Sequence, residues 1–130
     1  MYIYRLETID RGIGPYTGNT SLSKHLCKLH GASCQFDTHP AAFTEFTLFY
    51  PFEDMKKYHC CFTSFDRFVD WFGDAFDLFP MYDSAFHMSI YKIFHGYVRE
   101  AVYQDFFRRD LAVLVDSVRL TDVCTLAGQR

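Results

Sequence analysis

Residues 62–80, FTSFDRFVDWFGDAFDLFP, decide how the chain is read. Phe65, Phe68, Val69, Phe72, Phe76 and Phe79 recur at the i, i+3, i+4, i+7 spacing of a helix that buries one face, and the rest of the chain must cover that face. Thr63 or Ser64 is the expected N-cap, with Asp66 in the first turn where a carboxylate complements the helix dipole. Asp66, Asp70, Asp74 and Asp77 fall between the aromatics, and a continuous helix aligns them as an acidic stripe opposite the aromatic one. Gly73 costs about 1 kcal/mol relative to alanine inside a helix, and a break there divides the stripe. Trp71 sits one position off the apolar row, beside Asp70 and Asp74. A half-exposed tryptophan flanked by charge has the composition of an interface anchor, so Asp66, Asp70, Trp71, Asp74 and Asp77 are the candidate partner-binding residues.

Upstream, residues 2–7 alternate Tyr2, Tyr4, Leu6 with Ile3, Arg5, Glu7, the period of a strand whose second face is the wetter one. Residues 10–19, DRGIGPYTGN, hold three glycines and a proline and form a loop. Thr20 or Ser21 then caps a short helix over SLSKHLCKLH, with Leu22, His25, Leu26 and Leu29 along its apolar edge and Gly31 as the stop. In residues 32–51, His39-Pro40 forces an extended or turning path, and FTEFTLFY suits a strand or a packed loop. Residues 55–63 read as a strand leading into the central helix.

Downstream, residues 86–94 and 97–107 alternate around His95-Gly96 and read as a hairpin. Residues 109–115 suggest a helical turn with Leu111, Leu114 and Val115 inward, followed by a last strand or extended tail and a frayed end. The whole is one domain over residues 1–130, α+β in class, with a small mixed or antiparallel sheet packed against two or three short helices. Fifteen Phe and nine Tyr, more than a helical bundle of Leu and Ala would use, support the sheet.

A formal net charge of −3 disfavours direct nucleic-acid binding. The opening residues lack the pattern of a secretory signal, no apolar run is long enough to span a bilayer, and five cysteines, two of them adjacent, suit a reducing compartment, so a cytoplasmic location is expected. His25, Cys27, His30, Cys34, His39, His59, Cys60 and Cys61 invite a zinc reading, but Cys27 and Cys34 are too far apart for a paired-ligand knuckle and Cys60-Cys61 point apart on a strand. No metal is expected. The GIGPYTGN loop lacks the spacing and lysine of a nucleotide cradle, and Pro15 removes a donor, so it reads as structural.

Taken in order, Tyr4-Arg5, Gly12-Ile13-Gly14-Pro15-Tyr16, Phe62-Thr63-Ser64, Trp71-Phe72 and Gln104-Asp105-Phe106 resemble a group of small accessory proteins of tailed phages and prophages. That resemblance implies a phage context. More remotely, the order is similar to the ADP-ribosyltransferase pattern, an Arg on the first strand, a Ser-Thr-Ser-type segment in the middle and a catalytic Glu late. It implies an NAD site in which Arg5 holds the pyrophosphate, Thr63-Ser64 orients the ribose, and Gln104 or Glu100 stands at the carboxylate position. An amide at position 104 cannot supply the negative charge that transfer needs.

The expectation is therefore a non-enzymatic, cofactor-free inhibitor, a monomer or small homo-oligomer in the host cytoplasm. It blocks a host defence ribonucleoprotein or other protein complex, as an anti-CRISPR or other anti-defence protein does, through its acidic and aromatic surface. The alternative is an ADP-ribosyltransferase or NAD-hydrolysing enzyme with NAD as cofactor and Arg5, Ser64, Glu100 and Gln104 in the pocket.

Overall fold

The computed structural model describes residues 1–16, 20–30 and 39–129. Gly31 and Cys34 lie outside them, as do the last residues of the glycine loop. Strand β1 (Tyr2–Thr8) pairs antiparallel with β3 (Phe86–Lys92), which pairs on its other edge with β6 (Val113–Arg119). A second three-stranded antiparallel sheet has β5 (Asp105–Phe107) between β2 (His59–Cys61) and β4 (Val98–Glu100). Reciprocal backbone hydrogen bonds of 2.8 Å between Tyr4 and Phe62 join the two sheets. The helices are α1 (Ser21–His30), α2 (Ala42–Phe49), α3 (Phe65–Phe72) and α4 (Leu120–Gly128). The fold is α+β, as the composition indicated.

The aromatic row behaves as its spacing dictates. Ser64 caps α3 by accepting from the Arg67 N–H at 3.1 Å. Phe68, Phe72 and Phe79 are fully buried, and Phe65 and Phe76 pack at the edge of the same cluster with Leu6, Phe62, Met88 and Leu120. Their rings meet edge-on or tilted, Phe62 to Phe68 at 5.8 Å and Phe68 to Phe72 at 4.8 Å, the arrangement aromatic quadrupoles favour.

Five local expectations are corrected. Helix α3 ends at Phe72 and a tight 3₁₀ turn, Gly73–Ala75, follows, so the four aspartates do not form one helical stripe. Residues 42–49 are helical rather than extended, because Glu45 and Phe46 turn inward from one face and are held there by tertiary partners. The 86–94/97–107 hairpin does not form: both edges of β3 are already taken, and residues 98–107 fold back on themselves as β4 and β5. After a 3₁₀ turn at Arg109–Leu111 the chain runs as strand β6 with Leu114 and Val115 exposed, and α4 then closes the core with Leu120 and Val123. In α1 the buried edge is Leu22, Ser23, Leu26 and His30, whereas His25 and Leu29 face outward.

The second face of β1 is the largest departure. Ile3, Arg5 and Glu7, read as the wetter side, are all buried, Arg5 at 5% and Glu7 at 2% exposure. A strand covered on both faces loses the in/out contrast on which the alternation argument depends.

Candidate functional site

The buried face of β1 opens onto a cleft of about 540 Å³, within the range of small-molecule sites. Cross-strand register sets its floor. Arg5 lies opposite Ser89, and Ile3 opposite Tyr91. Arg5 Nε donates to Glu7 Oε1 at 2.8 Å, and the second Glu7 oxygen accepts from Ser89 Oγ at 2.6 Å and Tyr91 Oη at 2.5 Å. Arg5 Nη1 also donates to the Cys60 carbonyl at 2.7 Å. The buried charge is thus paired and its carboxylate partner saturated, the condition under which an ion pair persists in an interior. The guanidinium is pinned in one orientation on the cleft floor.

The glycine loop closes over this end. Gly12 has φ +65°, and a Cβ built there would lie 2.1 Å from the Arg109 guanidinium; one on Gly14 would lie 3.2 Å from that of Arg5. The glycines therefore make room for two arginines. Arg109 Nε donates to Tyr91 Oη at 3.1 Å and lies 3.6 Å from Glu7, and Arg11 stands exposed at the rim. His59 lines the same end, and burial and the arginines at 5 and 109 lower its pKa and hold the ring toward its neutral form. Burial raises the Cys60 thiol to about 11, against the opposing pull of Arg5, so it is a neutral wall group.

The opposite end is aromatic. Trp71 Nε1 donates to Tyr16 Oη at 2.7 Å, Tyr16 meets His30 Nδ1 at 2.5 Å, and His30 Nε2 meets Asp74 Oδ1 at 2.8 Å. His39 bonds the Trp71 carbonyl and stacks on His30, the rings 3.8 Å apart and 6° from parallel. Burial lowers the His30 pKa despite its bond to Asp74, and raises that of Tyr16 despite the Trp71 donor. His30, His39 and Asp74 offer donor atoms within 4.8 Å of one another. Two parallel, stacked imidazole planes have no point in common, however, and a ligated ion lies close to the plane of each ring that binds it. The pair is arranged for stacking.

Two clamps set the remaining wall. Glu45 on α2 accepts from the backbone N–H groups of Val102, Tyr103 and Gln104, and Arg67 on α3 grips the fully buried Asp105 through two 2.9 Å bonds. Held between them, Gln104 lines the cleft and donates from Nε2 to the Pro40 carbonyl at 2.9 Å.

Of the four residues that the transferase resemblance nominated, the structure brings Arg5 and Gln104 to the cleft. Ser64 is occupied as a helix cap, and Glu100 is exposed on β4, its carbonyl accepting from Tyr50. Among the described residues no carboxylate lines the cleft.

Of the partner-binding set, Asp66, Asp70, Asp74 and Asp77 are exposed. Trp71 is not the half-exposed anchor its neighbours suggested: it is 6% exposed, turned inward with Phe68 and Phe72, its N–H engaged by Tyr16. Glu7, Tyr16, His30, His39, His59 and Arg109 were not singled out as a group. The local signals were the set of histidines and cysteines, which held His30, His39 and His59, and the glycine loop, whose Gly12 and Gly14 make room for Arg109 and Arg5.

The site and fold define a small α+β protein with a cleft that is cationic at one end and aromatic at the other. The model of the Bacteriophage T4 Y00F protein family matches residues 1–121, and the chain belongs to that family. It is a phage protein. No curated protein and no solved structure matches it at a significant level. No helix among the described residues is long and apolar enough to cross a membrane.

Proposed function

We propose that this phage accessory protein uses its cleft to bind a phosphorylated nucleoside ligand of the size and charge of NAD or ADP-ribose. The observation that carries this reading is the pinned Arg5 guanidinium on the floor of a 540 Å³ cleft, with Arg109, Arg11 and His59 around it and no lining carboxylate among the described residues. Guanidinium groups match the oxygens of a pyrophosphate, and the aromatic end, with Tyr16 and Trp71, offers apolar and stacking surface for a base. Binding is favoured over glycosyl transfer or NAD hydrolysis, because Gln104 is an amide already engaged by Pro40 and supplies no charge to an oxocarbenium-like centre.

Calorimetric titration with NAD and ADP-ribose tests the reading, alongside a nicotinamide-release assay. Saturable binding that is lost in Arg5→Gln supports it. No binding of either ligand overturns it, and nicotinamide release would restore the enzymatic alternative.

A second reading has its own observation. Asp66, Asp70 and Asp77 are exposed, and so are Phe43, Leu48 and Phe49 on α2 and Phe52 just beyond it. Exposed apolar and acidic groups of this kind suit protein contacts. On that reading the chain is an anti-defence inhibitor that docks, as a monomer or small homo-oligomer in the host cytoplasm, on a defence ribonucleoprotein or other complex without touching nucleic acid. Co-purification with a CRISPR effector and loss of its cleavage activity, both abolished by Phe49→Asp or Asp70→Lys, is the result it requires.

A further inference from the structure

The aromatic end of the cleft contains a hydrogen-bond chain whose direction is fixed by chemistry. An indole N–H only donates, so Trp71 donates to the Tyr16 oxygen. A neutral His30 with its proton on Nδ1 would turn the Nε2 lone pair on the Asp74 carboxylate 2.8 Å away. The neutral ring must therefore carry its proton on Nε2 and donate to Asp74, while Nδ1 accepts the Tyr16 proton at 2.5 Å. One other state satisfies every contact, the imidazolium, which donates to Asp74 and to the Tyr16 oxygen at once. In that state the Tyr16 proton has lost its acceptor and must turn to another.

We propose that this chain makes the cleft a proton-coupled anion site: an oxygen of a bound phosphodiester or pyrophosphate accepts the Tyr16 hydroxyl proton while His30 takes up one proton and stands as an imidazolium between Tyr16 and Asp74. The inference rests on the reading of the cleft as a ligand site. Tyr16, His30 and Trp71 all line it, as does His39. The groups that face His30 from the packed elements are Tyr16 from the loop, His39 from the segment before α2, Trp71 and Phe72 from α3, and Asp74 from the turn after it. Asp74 favours the charged ring, and burial beside His39 opposes it, so His30 is held on the neutral side until an anion arrives.

The sign follows from the two pKa values of His30, lowered in the free protein and higher when an anion is bound. Between them binding takes up a proton, so affinity falls as pH rises through that window, by about tenfold per pH unit for one full proton. The test is calorimetric titration with ADP-ribose, whose pyrophosphate diester does not itself titrate there, in buffers of different ionisation enthalpy across neutral pH. Wild type is expected to take up close to one proton. His30→Gln, whose amide accepts from Tyr16 and donates to Asp74 as the neutral ring does, is expected to bind with a flat pH profile, and His95→Gln, at an exposed ring outside the cleft, to keep the slope.

If His30→Gln unfolds, Asp74→Asn serves, because it leaves an acceptor for Nε2–H but removes the charge an imidazolium needs; the window should move to lower pH. Absence of proton uptake in wild type, a slope surviving in His30→Gln, a slope lost in His95→Gln or an unmoved window in Asp74→Asn overturns the proton coupling and leaves the cleft reading standing. Failure of ADP-ribose to bind at any pH overturns both.

Discussion

On one face of β1, Tyr4 and Leu6 rest on the phenylalanine cluster under α3; on the other, Arg5 and Glu7 are roofed by the glycine loop and Arg109. Both faces are largely buried. The first is held by apolar area and ring packing, which are non-directional and tolerate adjustment. The second is held by a saturated set of charged and hydroxyl groups, where each member is costly to bury unless every partner is present. A strand can therefore carry a stabilising core on one side and a binding surface on the other, a few ångströms apart.

The sharpest way to break the contrast is to remove one member from each side. Glu7→Ala leaves Arg5, Ser89 and Tyr91 buried without their acceptor and is expected to cost about 3–5 kcal/mol, measured by denaturant unfolding. Phe72→Ala should cost a similar ~3–5 kcal/mol through cavity formation, yet its effect should be eased by refilling with Leu or Met, whereas no apolar replacement at Glu7 restores the cleft. If Glu7→Ala proves as stable as wild type, the charged face is not the tightly coupled network described.

A smaller effect separates charge from geometry. Arg5→Lys retains the positive charge but loses the fork that reaches Glu7 and the Cys60 carbonyl together; ADP-ribose affinity should fall about tenfold with the fold intact. Equal affinity in the two proteins would show that charge alone suffices.

The smallest effects concern α3. Ser64→Ala removes the N-cap and should cost about 1 kcal/mol in thermal or chemical unfolding without touching ligand affinity, since Ser64 does not line the cleft. A loss of affinity would return Ser64 to the site. Gly73→Ala should stabilise by roughly 0.4–1 kcal/mol, because Gly73 has right-handed helical angles (φ −57°, ψ −33°) and an added Cβ meets only Val69 at an ordinary 3.9 Å. Destabilisation there would mean that the helix end depends on glycine itself.

The sequence was most legible where one physical rule dominated. The 3.6-residue recurrence of Phe65, Phe68, Val69 and Phe72 identified the core-facing helix, and the polar residues before each helix narrowed its cap to a pair: of Thr63 and Ser64, Ser64 caps α3, and of Thr20 and Ser21, Thr20 caps α1, its Oγ accepting from the Ser23 N–H at 3.0 Å. It was least legible where rules competed. FTEFTLFY has strand-like composition but folds as a helix, because Glu45 is drawn in to hold three backbone N–H groups of residues 102–104. Trp71 looked like an exposed anchor because its sequence neighbours are aspartates; its partner, Tyr16, lies 55 residues away. The hairpin failed because alternation marks a strand and says nothing about which edge it will find.

The α+β class, the aromatic core and the helix caps follow from local order, since helical periodicity and capping act between residues a few positions apart. The cleft follows from none of these. Arg5 and Glu7 are two residues apart on β1, but Tyr16, His30, His59, Trp71, Gln104 and Arg109 reach them only through strand pairing and the closing of the glycine loop. Hydrogen bonds of fixed direction between such distant groups are specified by the tertiary packing that aligns them, and that packing alone made the strand's supposed wet face into a buried, charged site.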